Sequence, residues 1–241
     1  MPIFLGNKEI GLASLGSLPV SNIQQTITGP QYVTNGLLLY MDSTEPASYP
    51  GSGTSWFNLV AGQPYQGTIG SGVTYTGGYL QTSPAAGVPN GIITVTTSSF
   101  LSVPYTVMSA TRYTDTTANG RMLASSNNWL LGQWSNTTEN YFAEGWISGT
   151  GAGPNDTNWR IYTATGDQSS DRYSLFINGT LTVSGSSAGA EGPNGLGAGY
   201  WPGSGGEASD GQIAFVMVYN RILSQAEVTQ NYNALKSKVG L

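Results

Sequence analysis

The sequence predicts an all-β protein: a two-layer antiparallel sandwich with a short β arm at the N-terminus and one helix at the C-terminus. Three observations predict it. Short runs rich in Thr, Val, Ile, Tyr, Phe and Trp recur along the chain, each bounded by Gly, Pro, Asn or Ser. Asn-Gly, the pair that best supplies the positive φ values of a tight hairpin turn, occurs at Asn90-Gly91, Asn119-Gly120 and Asn178-Gly179. Apolar residues at helical spacing appear near the C-terminus, at Val228, Tyr232, Leu235 and Val239.

Residues 1–31 read as an arm and a linker. Leu5-Gly6-Asn7 with Ile10 recurs ten positions later as Leu15-Gly16-Ser17 with Val20. Each unit is an apolar residue, a turn pair and a short return strand, and two such units cannot bury a core alone. Phe4, Leu5, Ile10, Leu15 and Val20 are therefore expected to dock on a partner whose sheet they complete. The alternative is a hairpin packed on the body of the same chain. Residues 21–31 are a polar linker.

The body spans residues 32–241. Gly36-Leu37-Leu38-Leu39-Tyr40-Met41-Asp42 is apolar on both faces of a strand and so is expected in the middle of a sheet. A proline- and glycine-rich loop follows and ends on Trp56. Further strands are expected at 91–95, 105–112, 122–125, 129–134, 141–147, 159–164 and 171–177, the last opening a hairpin through Asn178-Gly179. Residues 184–210 read as a long Gly/Ser/Pro loop, and 211–220 as a final strand apolar on both faces. Ser224 and Glu227 then form a capping box, and Gly240 supplies a stop. The helix is expected over the sheet edge.

Composition narrows function. The 241 residues include no His and no Cys, which excludes Ser-His-Asp and Cys-His catalysis and His- or Cys-ligated zinc. Only 9% of residues are charged and the net charge is -5. The eight basic residues are scattered, which argues against nucleic acid, where phosphate neutralisation supplies most of the affinity. No apolar run reaches the roughly 18 residues of a membrane span. Residues 1–9 lack the basic and apolar segments of a signal peptide, so synthesis in a cytoplasm is expected.

The body resembles the concanavalin A-like lectin/glucanase superfamily in its laminin-G-like variant. Gly36–Asp42 with the Pro46–Trp56 loop looks like that family's opening strand and loop, with Gly67-Thr68 after it. Asn158-Trp159 resembles its mid-domain Trp strand. Tyr173-Ser174-Leu175-Phe176-Ile177-Asn178-Gly179 resembles its central hairpin, and 211–228 its closing strand and helix. The likeness spans 32–241 in the right order, and it implies an antiparallel jelly-roll sandwich. The Leu-Gly-Asn/Leu-Gly-Ser arm resembles N-terminal segments of tailed-phage structural proteins. Together the resemblances imply a non-enzymatic phage virion surface protein, whether capsid decoration, head fibre or tail fibre, that is multicopy on the particle. It would be made in the host cytoplasm, held by its arm to capsid or tail proteins, and would carry weak affinity for a cell-surface glycan. The alternatives are a structural cement protein without sugar binding and a glycoside hydrolase that uses carboxylates alone. The family's sugar-cleaving members carry a Glu-x-Asp-x-x-Glu strand, and no such spacing occurs here.

Sugars stack their C–H faces on aromatic rings, so the candidate glycan contacts are Trp134, Tyr141, Trp146, Tyr200 and Trp201. Packing competes with that reading: Trp129, Trp134 and Trp146 are expected in the core. Tyr200-Trp201-Pro202, in a Gly-rich loop, serves either as a loop anchor or as a stacking surface. Glu139 and Glu144, five apart, fall on opposite faces of a regular strand and would meet only if the strand bulges. No cofactor is expected. Asp167 with Asp171, and Glu207 with Asp210, are the pairs a calcium ion would use, without EF-hand spacing.

Overall fold

A computed structural model describes residues 31–86, 91, 93–95, 104–143, 145–186 and 192–241, together with the backbone of 3–5 and 8–10. Leu15, Val20, Asn90, Glu144 and most of the expected linker lie outside these residues. In the arm, β1 (Ile3–Leu5) pairs antiparallel with β2 (Lys8–Ile10), with Phe4 opposite Glu9 and Leu5 opposite Lys8.

The body is built from strands β3 (Leu37–Asp42), β4 (Ser55–Phe57), β5 (Gln66–Ile69), β6 (Thr74–Thr76), β7 (Tyr79–Thr82), β8 (Ile93–Val95) and β9 (Tyr105–Tyr113). They are followed by β10 (Leu123–Ala124), β11 (Trp129–Trp134), β12 (Thr137–Ala143), β13 (Arg160–Asp167), β14 (Arg172–Ile177), β15 (Thr180–Gly185), β16 (Gly197–Ala198) and β17 (Gly211–Tyr219). Two sheets result, with strand orders β12-β11-β10-β16-β8-β5-β4 and β15-β14-β13-β9-β17-β7-β6. In the larger sheet one edge of β17 is shared: Gly211–Ile213 pair with β7, and Phe215–Tyr219 with β3. All pairings among the described residues are antiparallel.

Alternation along β3, β9 and β17 fills two cores at once. Leu39, Met41, Val107, Val216 and Val218 point between the sheets and meet Trp56, Trp129, Leu131 and Tyr141. Tyr40, Met108, Phe215, Met217 and Tyr219 point the other way, under helix α1 (Gln225–Leu235). The helix therefore covers the outer face of the larger sheet and also reaches its edge strand β15, where the sequence places it. The double-sided apolar strands are double-sided for this reason: one face looks at the second sheet and the other at the helix.

Ser224 caps α1 in a full capping box with Glu227, and Gly240 closes the following turn at φ 73°. Val228 and Leu235 are buried as the spacing predicts, but Asn231 is buried where Tyr232 was expected to carry the stripe. Both ends of its amide are bonded: Oδ1 accepts from the Val33 amide at 2.7 Å, and Nδ2 donates to the Tyr219 hydroxyl at 2.9 Å. That hydroxyl donates to the Val33 carbonyl at 2.8 Å, so the start of the body, the last strand and the helix share one buried network.

Turn chemistry explains where the expected strands moved. Asn178 (φ 50°) and Gly179 (φ 78°) make the two-residue turn between β14 and β15, as Asn-Gly should. Asn119-Gly120 makes no hairpin, because β9 and β10 belong to different sheets and residues 114–122 cross between them. Gly120 is required for a different reason: a Cβ there would lie 2.1 Å from the Glu207 carbonyl oxygen. An unforeseen hairpin joins β11 to β12 through Ser135 (φ 50°) and Asn136 (φ 64°), so that strand occupies 137–143 rather than 141–147. Inside the expected 184–210 loop, β16 sits in the middle of the smaller sheet between β10 and β8. A two-residue Gly-Ala strand carries no propensity signal. Its place is fixed by ladder hydrogen bonds and by the burial of Leu196 and Ala198.

Candidate functional site

The strands β11 and β12 sort their aromatics by parity. Along β11, Trp129 and Leu131 face the inner core, so Leu130 and Trp134 face outward. Along β12, Tyr141 and Ala143 face inward and Phe142 outward. Trp146 follows as a single bridge to Phe142, held by bonds from the Ile147 and Ser148 amides to the Tyr141 carbonyl. The outcome is an aromatic face on the outside of the smaller sheet. Trp134 and Trp146 lie 5.2 Å apart, tilted by 45°, and Phe142 meets Trp146 edge-on at 5.2 Å. Both tryptophans are half-buried, which corrects the expectation that they belong to the core. Trp129 is buried as expected. The physical reason is the odd offset: residues 129 and 134 of one strand cannot face the same way.

Tyr141 is wholly buried and offers no face to a ligand. It belongs to a directed chain of hydrogen bonds in the core. Trp129 Nε1 donates to the Tyr105 hydroxyl at 3.0 Å, the Tyr105 and Tyr141 hydroxyls are 2.8 Å apart, and Tyr141 donates to the Thr165 carbonyl at 3.0 Å. Burial holds the Tyr105 and Tyr141 phenols well above their ordinary range. Tyr200 is buried too, against Gly197, where a Cβ would come within 2.4 Å of its ring. Trp201, half-buried beside it, stacks on the Arg121 guanidinium at 4.5 Å. Of the five sequence candidates, three remain at the surface, and Arg121 links Trp201 to the other two.

Two hollows flank Trp134. One, of about 220 Å³, is lined by Arg121, Asn128, Leu130, Trp134, Phe142 and Trp146. The other, of about 280 Å³, is lined by Asn119, Gly120, Trp134, Ser135, Glu207 and Ala208. Arg121 is 6% exposed and is held by an ion pair from Nε to Glu207 and by its own amide, which donates to the Glu207 carbonyl at 2.9 Å. Glu207 pays in backbone strain for this position, with φ at 52°. Arg121 Nη1 and Asn128 Oδ1 are buried atoms without a hydrogen-bond partner among the described residues. A donor and an acceptor thus stand buried without partners beside an aromatic hollow, an arrangement that costs free energy.

The remaining acids are engaged locally. The strand does bulge at Glu139 (φ 66°), with one extra residue in β12 between the partners of Gly132 and Trp134. Its carboxylate, however, accepts from Arg160 Nε at 3.1 Å, in a group where Asp156 takes both other guanidinium nitrogens at 2.7 and 2.8 Å. Those bonds lower Asp156 from 3.8 to about 2. Asp167 accepts from the Ser169 and Ser170 hydroxyls at 2.7 Å each, which lowers its pKa. Asp210 is raised by burial and by the nearby Asp115 carboxylate. Among the described residues no three acidic side chains gather as a metal site, and no helix is long and apolar enough to cross a membrane.

Sequence reasoning missed Arg121, Asn128, Leu130 and Phe142. Strand parity, counted from one buried Trp, would have found Leu130. Arg121 and Asn128 lie outside regular strands and carry no such signal.

Comparison with known proteins agrees with this architecture. The family model described as concanavalin A-like lectin/glucanases superfamily matches residues 74–229. No curated protein matches the sequence. Among solved structures, Trypanosoma rangeli sialidase in complex with the inhibitor DANA superposes with a TM-score of 0.59 at 13% identity, covering 88% of this chain and 36% of that one. The botulinum neurotoxin serotype G binding domain gives 0.56 at 14% identity, over 81% and 50%. The binding domain of Paraclostridial Mosquitocidal Protein 1 gives 0.52 at 15%, over 83% and 52%. The chain spans about a third of the sialidase and half of the toxin domains. At these identities the likeness is one of fold.

Proposed function

This chain belongs to the concanavalin A-like lectin/glucanases superfamily, and from that premise we propose that it is a glycan-binding adhesion domain without catalysis, carried on the surface of a phage virion. One observation carries the glycan reading: Trp134 and Trp146 present ring surface outward beside an unpaired guanidinium nitrogen and an unpaired amide oxygen. The π-face of an aromatic ring is electron-rich and attracts the polarised C–H groups of a sugar ring. Solved neighbours that include a sialidase bound to sialic acid and several binding domains agree with such a use of the fold.

Binding without cleavage is supported by the missing His and Cys and by the engagement of Glu139 with Arg160. Placement on a virion is supported by the repeat in the arm, whose first unit forms the β1–β2 hairpin. Many copies on one particle would turn weak single contacts into avidity. The test is a glycan array probed with the protein displayed multivalently, beside Trp134→Ala and Trp146→Ala. Binding that both variants lose is expected. Silence across the array would favour a cement role, and release of shortened glycans would favour hydrolysis. Deletion of residues 1–25 is expected to abolish incorporation into particles, and normal incorporation would refute docking by the arm.

A further inference from the structure

We infer that the site takes an uncharged glycan chain of at least two rings, laid across Trp134 with one ring in each hollow. The inference rests on the glycan-binding reading above and names its ligand class. Length follows from the two hollows. Each alone, at about 220 and 280 Å³, falls below the roughly 300 Å³ at which small-molecule pockets begin. Trp134 lines both, so together they form one surface with an aromatic ridge in its middle.

The linings differ in kind. Leu130, Phe142 and Trp146 make the first hollow apolar, suited to the C–H face of one ring. Asn119, Ser135 and Glu207 make the second polar, suited to the hydroxyl edge of the next.

Neutrality follows from charge. Among the described residues the charged groups lining the two hollows are Arg121 and Glu207, and they are paired with each other. The Arg121 side chain is 7% exposed and the Glu207 side chain 37%. An approaching ligand therefore meets the carboxylate before the guanidinium. The protein's net charge of -5 adds a further, longer-ranged penalty for anions. The guanidinium, paired with Glu207 and stacked on Trp201, is not a free cation for a carboxylate or sulfate.

The test uses the full chain on an array of neutral, sialylated, sulfated and uronic glycans of one to four rings, followed by titration of the best neutral and best acidic hits. Neutral chains of two or more rings are expected to bind at least tenfold more tightly than the matching single ring. Their affinity is expected to stay constant between about 0.05 and 0.5 M salt, since no net charge is neutralised. Asn119→Ala is expected to cut affinity for the two-ring ligand several-fold. Trp134→Ala should abolish it, and Trp134→Phe, which keeps a ring in place, should retain part of it at an unchanged melting temperature. Preference for acidic glycans, or equal affinity for one ring and two, would overturn this inference and leave glycan binding standing. Absence of binding to every glycan would overturn both.

Discussion

Strands β11 and β12 carry two aromatic groups on opposite faces, built from neighbouring residues and unlike in every physical respect. Inside, the Trp129 ring lies 6.0 Å from Tyr141 and 6.4 Å from Tyr105, and each polar atom of the trio has a partner. Outside, Trp134, Phe142 and Trp146 are half-buried, and two polar atoms beside them, Arg121 Nη1 and Asn128 Oδ1, lack partners. The inner group fixes the distance between the sheets. Saturation inside and unused capacity outside distinguish structure from site more sharply than residue type, which is the same on both faces.

The comparison breaks most visibly at Trp129. Trp129→Ala removes the largest side chain of the inner group and takes one of the two partners of the Tyr105 hydroxyl, with an expected loss of about 3–5 kcal/mol in denaturant unfolding. A loss below about 1 kcal/mol would show that the inner trio is not what holds the sheets. Tyr141→Phe keeps the ring and deletes one oxygen. It leaves the Thr165 carbonyl and the Tyr105 hydroxyl short of a partner, at a cost of about 1–3 kcal/mol.

Trp134→Ala should do the reverse of both. Stability is expected to change by less than about 1 kcal/mol, while glycan affinity falls at least tenfold, or about 1.4 kcal/mol. Calorimetric melting beside glycan titration separates the two effects.

The smallest expected effect is electrostatic and lies away from both groups. Arg160 lowers Asp156 from 3.8 to about 2, and Arg221 with the Ser224 cap lowers Glu227 from 4.5 to about 2. Depressed carboxylates stabilise the fold above their unfolded values and lose that contribution as the pH falls towards 2. Melting temperature should therefore decline from about pH 4.5 to about pH 2. Asp156→Asn or Glu227→Gln should each flatten part of that decline, by less than about 1 kcal/mol because the pairs are partly exposed. The inner trio, whose members stay protonated across this range, should contribute no slope.

Much of the fold was legible because it rests on local chemistry. The β14–β15 turn needs two positive φ values, which Asn178-Gly179 supplies. The helix start needs a Ser/Glu box, and Ser224 and Glu227 make one. The helix's cover of the outer face was not legible. Double-sided strands such as β17 demand cover on both faces, yet nothing in their sequence says whether a neighbouring strand, a second sheet or a helix provides it. The Ser135-Asn136 hairpin hid because positive φ is uncommon at Ser, and β16 hid because Gly-Ala has no propensity to read.

The site divides the same way. Its tryptophans were named from the sequence because sugar stacking needs flat rings, but Tyr141 and Tyr200 were named with them and are buried. Composition cannot tell a ring that packs from a ring that waits.

By itself the sequence determined the class of structure, the capped helix, the glycine turns and the absence of imidazole and thiol chemistry, since each depends on residues close together or on none at all. The tertiary structure decided which tryptophans face water, that Arg121 and Glu207 from opposite ends of an 86-residue separation pair beside them, and that two polar atoms there go unsatisfied. Those facts depend on strand parity and on long-range burial, which exist only once two sheets have closed on each other.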